Sequence, residues 1–178
     1  DEDYVIYRRD KDTLARAQAI PGQIGLEHRI GGLEKGEDGG VSYDPENHEE
    51  MSLLRAQKVA GISKSLDPIE IYGEPEGDLL VIGWGGTYGA ISSAVKNLRV
   101  EGFSVSNIHL RHLNPLPDDL GDIMKRFKKV IVPELNLGQL SLLLRSKYLI
   151  DVIPYNKLQG KPFKVSELRE KFLEHINL

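Results

Sequence analysis

From position 78 onward, short apolar runs alternate with stretches whose apolar residues recur at helical spacing, and the connections between them are short. LLVIGW (79–84) is a continuous apolar run, the pattern of a strand covered on both faces. Ala90, Ile91, Ala94, Val95 and Leu98 then repeat with the period of an amphipathic helix, which Gly102 ends. FSVSNIHL (103–110) predicts a second strand. Leu120, Ile123, Met124 and Phe127 predict a second helix, entered through PLPDD, whose aspartates suit the positive end of a helix. KVIVPE (129–134) is a third strand, Leu140, Leu143 and Leu144 mark a third helix, and LIDVIP (149–154) is a fourth strand. A last helix, capped by Ser166, carries Leu168, Phe172 and Ile176 on one face. IEIY (69–72) adds a short strand upstream. Each helix must bury one stripe and each strand both faces, so the pattern leaves little besides an α/β fold: a mostly parallel open sheet of about five strands with helices on both faces.

The first 47 residues obey no such grammar. Breakers crowd AIPGQIG (19–25), IGGLEKGEDGG (30–40) and SYDPEN (42–47), leaving one short candidate strand, YVIY at 4–7. A run this long without elements is unusual inside a compact domain and reads as an irregular connector from a preceding domain. A helix follows. Asn47 with Glu50 three residues later forms a capping box, Asp44-Pro45 offers a start one turn earlier, and Gly61 ends the helix. The expected organisation is therefore a tail and connector (1–47), a linking helix (48–65) and an α/β domain (66–178). The opening DEDYVIYRRDKD has no initiator Met and reads as mid-protein sequence, which suggests a fragment.

Composition removes several classes of function. None of the 178 residues is Cys, so this chain supplies no disulfide, thiol nucleophile or thiolate ligand for an iron–sulfur cluster. A net charge of −4 gives no basic footprint for nucleic acid. No stretch approaches the ~20 apolar residues of a membrane span. The histidines at 28, 48, 109, 112 and 175 show no metal-ligand spacing.

Three turns remain as candidate sites. VIGWGGTYGAI (81–91) places glycines at 83, 85, 86 and 89, one place off a dinucleotide fingerprint, and no acid ends the following strand. The favoured reading is structural: glycines let the chain reverse and let the helix approach the sheet. The competing reading is a small-molecule or nucleotide-binding module that uses the Gly83–Gly89 turn, because a helix N-terminus attracts anions. RHLNPLP (111–117) lies at the end of the second strand, where ligands of open sheets gather. In VPELNLGQL (132–140), Asn136 is a candidate helix cap and Glu134 an acid at the rim. The contact loops are thus Gly85, Gly86 and Thr87, then His112 and Asn114, then Glu134, Asn136 and Gln139. No nucleophile, base and orienting group assemble among them, so no catalytic, cofactor-binding or metal residue is named.

Taken together, GLEHRIGGLEKGEDGGVSYDPENHEEM (25–51), LLRAQKV (53–59), LLVIGWGGTYGAISSAV (79–95), HLNPLP (112–117) and VPELNLGQL (132–140) resemble the C-terminal part of the α subunit of 2-oxoacid:ferredoxin oxidoreductases, the 2-oxoglutarate type above all. The resemblance covers nearly the whole chain. It implies a domain like the C-terminal domain of transketolase, with four parallel strands and an antiparallel edge strand at 69–72. It also implies a cytoplasmic, oligomeric complex containing a β subunit, which oxidatively decarboxylates a 2-oxoacid to an acyl-CoA. That complex would use thiamine diphosphate, Mg, coenzyme A and iron–sulfur clusters, and pass electrons to ferredoxin. The chain itself would bind no cofactor and would hold subunits in register, inactive alone.

Overall fold

The computed structural model describes residues 4–176, in two compact units that divide between Ser65 and Leu66. The N-terminal unit is mostly turns, with isolated antiparallel bridges Arg9↔Arg16 and Lys35↔Val41. Residues 4–7 do not form the expected strand. The Tyr7 N–H reaches the Glu37 carbonyl at 3.1 Å, and the described residues offer no ladder that would extend this contact. Helix α1 spans Pro45–Gly61 and passes into a 3-10 turn over 62–65. Of its two candidate starts, the earlier forms: the Asp44 carboxylate accepts from the N–H groups of Glu46 and Asn47, both at 3.3 Å, with Pro45 in the first turn. Asn47 lies inside the helix and donates from Nδ2 to the Lys35 carbonyl.

Glu34 ties α1 to the preceding loop. Arg55 donates to both its oxygens at 2.9 and 3.2 Å, and His48 Nδ1 lies 2.9 Å away. These contacts, that of Arg55 foremost, lower the Glu34 carboxyl pKa to about 2. A carboxyl depressed in the folded state stabilises fully above its ordinary value of 4.5, and this contribution is lost as pH falls through about 2. A carboxyl-carbon NMR titration is expected to place the Glu34 midpoint near 2. A midpoint at the ordinary value would mean the pairing does not persist in solution.

The C-terminal unit is built from β1 (Gly77–Trp84), α2 (Tyr88–Val100), β2 (Val105–Leu110), α3 (Leu120–Lys125), β3 (Phe127–Glu134), α4 (Gln139–Tyr148), β4 (Val152–Asn156) and α5 (Val165–Ile176). The four strands pair in parallel in the order β2-β1-β3-β4, with Leu79 opposite both Val105 and Lys129, and Val130 opposite Val152. Side chains of β1 alternate between two cores. Leu80 and Ile82 meet Leu120, Ile123 and Met124 of α3 and Leu140 and Leu144 of α4. Leu79 and Val81 meet Ile91, Val95 and Leu98 of α2 and Leu168 and Phe172 of α5. Helices α2 and α5 therefore cover one face of the sheet, α3 and α4 the other.

The sheet has four strands rather than about five. IEIY contributes one antiparallel bridge, in which Tyr72 and Asn107 exchange both backbone hydrogen bonds (2.9 and 3.0 Å). Its ladder cannot lengthen, because the Ile69 N–H goes to Asp119 Oδ2 at 3.0 Å and Gly73 turns the chain at φ +121°. Three boundaries also shift. Phe127 opens β3 instead of closing α3, and β4 begins at Val152 because Leu149 ends α4 in the left-handed conformation (φ 54°). Ser166 lies inside α5. The N-terminal N–H is taken instead by Glu167, whose Oε2 accepts from Lys164 N at 2.9 Å and also pairs with Lys157.

Candidate functional site

All three candidate loops follow the carboxyl ends of parallel strands. Neighbouring strands β1 and β3 send their chains to opposite faces, β1 into α2 and β3 into α4. This is the switch point of the sheet, where an open α/β fold presents its crevice. The structure thus places Gly85–Thr87 on one side of the switch and Asn136–Gln139 on the other.

The glycine turn serves backbone geometry first. Gly85 sits at φ +55° and begins a 3-10 turn through Thr87. The buried Thr87 hydroxyl donates to the Trp84 carbonyl at 2.8 Å and accepts from the Trp84 N–H at 3.2 Å, which locks the strand-to-helix reversal. A Cβ at Gly83 would stand 2.8 Å from Ile91 Cδ1 and 3.2 Å from His109 Nδ1, so this glycine lets α2 lie directly against β1. Gly86 and Gly89 differ: nothing lies within 4 Å of where their Cβ atoms would be, and both are exposed.

Across the switch, Glu134 is not an acid at the rim. It is 0% exposed, and its oxygens accept from Leu140 N (2.9 Å), Ser141 N (2.9 Å) and Ser141 Oγ (2.8 Å). A buried carboxylate is tolerated there because three donors and the positive end of α4 surround it. Asn136 Oδ1 shares the work, accepting from Gly138 N at 2.7 Å and Gln139 N at 3.3 Å. The charge of Glu134 is therefore committed to holding α4 in place. Gln139 is exposed at the helix start, and Leu135 and Leu137 flank Asn136 with exposed side chains, Leu137 at 75%.

At β2 the loop carries His112 and Asn114, both exposed, ahead of a cis Asn114–Pro115 bond. His112 lies with Arg111, His109, Tyr88 and Asn107 on a cavity of about 580 Å³ that residues 66–70 also line. Burial, and then the charge of Arg111, hold His109 below the usual imidazole pKa. The Tyr88 ring stands edge-on to it, centroids 5.0 Å apart. Asn107 Oδ1 is buried without a partner. Asn114 is not among the lining residues. Sequence reasoning named neither His109 nor Asn107 as a site residue, though an Asn inside the apolar run VSNIHL was the available signal. Among the described residues no three His, Asp or Glu side chains cluster as a metal site, and the cavity pairs no nucleophile with a base. The arrangement can contact a partner or a small polar ligand.

Residues 77–168 match the family described as pyruvate:ferredoxin oxidoreductase core domain II. The chain is 48% identical over 170 residues to the 2-oxoglutarate oxidoreductase subunit KorA of Mycobacterium tuberculosis, covering 94% of this chain and 26% of that protein. It is 33% identical to the 2-oxoglutarate synthase subunit KorA of Methanocaldococcus jannaschii, covering 91% of this chain and 44% of the relative. Among solved structures, the 2-oxoglutarate:ferredoxin oxidoreductase from Magnetococcus marinus with 2-oxoglutarate, coenzyme A and succinyl-CoA bound superposes with a TM-score of 0.90 at 35% identity. That match covers 97% of this chain and 31% of the other. The chain thus spans between a quarter and a half of the length of these relatives.

Proposed function

Since the chain belongs to the core domain II family of the pyruvate:ferredoxin oxidoreductases, we propose that it forms the C-terminal part of the α subunit of a 2-oxoglutarate:ferredoxin oxidoreductase and acts there as an assembly domain. One observation supports this above the rest: nearly all of the chain, both units included, follows the Magnetococcus marinus enzyme at a TM-score of 0.90. The residues at the switch point agree with a non-catalytic role, because Glu134, Asn136 and Thr87 direct their polar groups to their own backbone. On this reading, residues 66–178 are a transketolase C-terminal-like domain, residues 1–47 are the tail of the domain before it, and 48–65 join the two.

The whole complex, cytoplasmic and oligomeric, would decarboxylate its 2-oxoacid oxidatively, form an acyl-CoA and deliver electrons to ferredoxin. Thiamine diphosphate, magnesium, coenzyme A and iron–sulfur clusters would be held by other domains and the β subunit. Because no residue of this chain is Cys, an iron–sulfur cluster would find no thiolate donor here. Gly85–Thr87, His112–Asn114 and Asn136–Gln139 would be the contacts through which the domain keeps the other parts in register. The exposed Tyr88, Leu135 and Leu137 fit an apolar partner surface there.

Purified residues 1–178 are expected to show no 2-oxoglutarate-dependent reduction of a dye when supplied with thiamine diphosphate, magnesium and coenzyme A. Turnover by the isolated chain would overturn the assembly reading. In the full α subunit, Leu137→Asp is expected to reduce co-purification of the β subunit, and full retention would count against a contact at that loop.

A further inference from the structure

The N-terminal unit contains a cleft of about 340 Å³ bordered by Arg9, Arg16, Lys35, Arg55, Lys58 and Glu34. Five cations face one carboxylate, and that carboxylate is spoken for: Arg55 takes both oxygens of Glu34, with His48 on the second. Of the other four, Lys35, Arg9 and Arg16 meet neutral groups. The buried Lys35 donates from Nζ to the carbonyls of Gly31 (3.2 Å) and Leu33 (2.8 Å), which orient the ammonium without neutralising it. Arg9 gives Nη1 to the Leu14 carbonyl at 3.2 Å, while its Nε is buried with no partner. Arg16 lies over the Tyr7 ring, 4.5 Å from its centroid, a contact that leaves its positive charge without a counter-ion. Burial, then Arg16 and then Arg55 lower the Arg9 pKa, as expected where like charges converge without a counter-ion.

We propose that this cleft is an anion site for a multivalent phosphate group of the diphosphate class. Guanidinium forks match phosphate oxygens, and four cations with no carboxylate partner among the described residues favour more negative charge than one carboxylate supplies. The volume lies at the small end of ligand pockets and suits the phosphate moiety itself. The site is in the N-terminal unit and is independent of the assembly role proposed for the C-terminal one.

Calorimetry of the full 178-residue chain with inorganic pyrophosphate, at low ionic strength and without magnesium, tests the proposal. The expected result is one saturable site, weakened by added sodium chloride as charge screening requires. Arg16→Gln and Lys58→Gln, neither at a fully buried position, are each expected to weaken binding about tenfold with unchanged circular dichroism. Lys96→Gln, exposed on α2, is expected to leave it unchanged. Succinate at matched ionic strength separates the two anion chemistries, and binding it as tightly as pyrophosphate would overturn the phosphate assignment. The absence of saturable binding, or equal affinity in the wild-type chain, Arg16→Gln and Lys58→Gln, would overturn the site itself.

Discussion

Glu134→Ala is expected to destabilise the C-terminal unit by about 4 kcal/mol, the sum expected when a buried charged acceptor is removed and its donors are left behind. Two backbone N–H groups at the start of α4 and the Ser141 hydroxyl lose their acceptor in a place that excludes water. Trp84, the single tryptophan, stands at the end of β1 and reports unfolding of this unit alone. In urea, its fluorescence transition should move to markedly lower concentration in Glu134→Ala. Ser141→Ala removes one hydroxyl contact and is expected to cost only about 1 kcal/mol. Glu134→Gln keeps the shape but turns one acceptor into a donor, so its loss should fall between the two. If Glu134→Ala unfolded at the wild-type urea concentration, the carboxylate would not be holding α4, and the switch-point loop would be free for other chemistry.

Phe172→Ala should produce a loss of similar size, about 3–5 kcal/mol, for a different reason. Phe172 is fully buried on α5 and belongs to the core that joins α5 and α2 to the sheet through Leu98, Val105 and Ile131. Truncation removes its transfer free energy and opens a cavity that the rigid sheet cannot close. Leu142→Ala on α4, a substitution at a largely exposed leucine, should shift the same transition by less than about 0.5 kcal/mol. A Phe172→Ala transition as small as that of Leu142→Ala would mean that α5 is not packed in the native unit, since only a helix already detached could lose this ring without cost.

The α/β class, the parallel sense of the main strands and the helices on both faces were legible in the sequence. They follow from period: β1 is apolar from Leu79 to Trp84 because both its faces are covered there, and α2 and α5 are apolar only at helical spacing because each has one. The glycine turn was legible as a turn, since φ at Gly85 and the missing Cβ at Gly83 are local demands. Elements that depend on distant partners were read less well. IEIY has strand character, but the Ile69 N–H is claimed by Asp119, fifty residues away, and only one bridge forms. Ser166 is a good cap by type, yet Glu167 reached the open N–H from inside the helix.

The sequence by itself determined which segments become strands and helices and that no thiolate chemistry belongs to this chain, because both depend on residue type and short-range period. Only the tertiary structure decided where charge resides. It took Glu134 from an assumed surface position into the core, and it drew Arg9, Arg16, Lys35, Arg55 and Lys58 around one cleft although the first fifty residues are net acidic. Electrostatic energy depends on distance and burial in space, and residues far apart along a chain acquire both only when it folds.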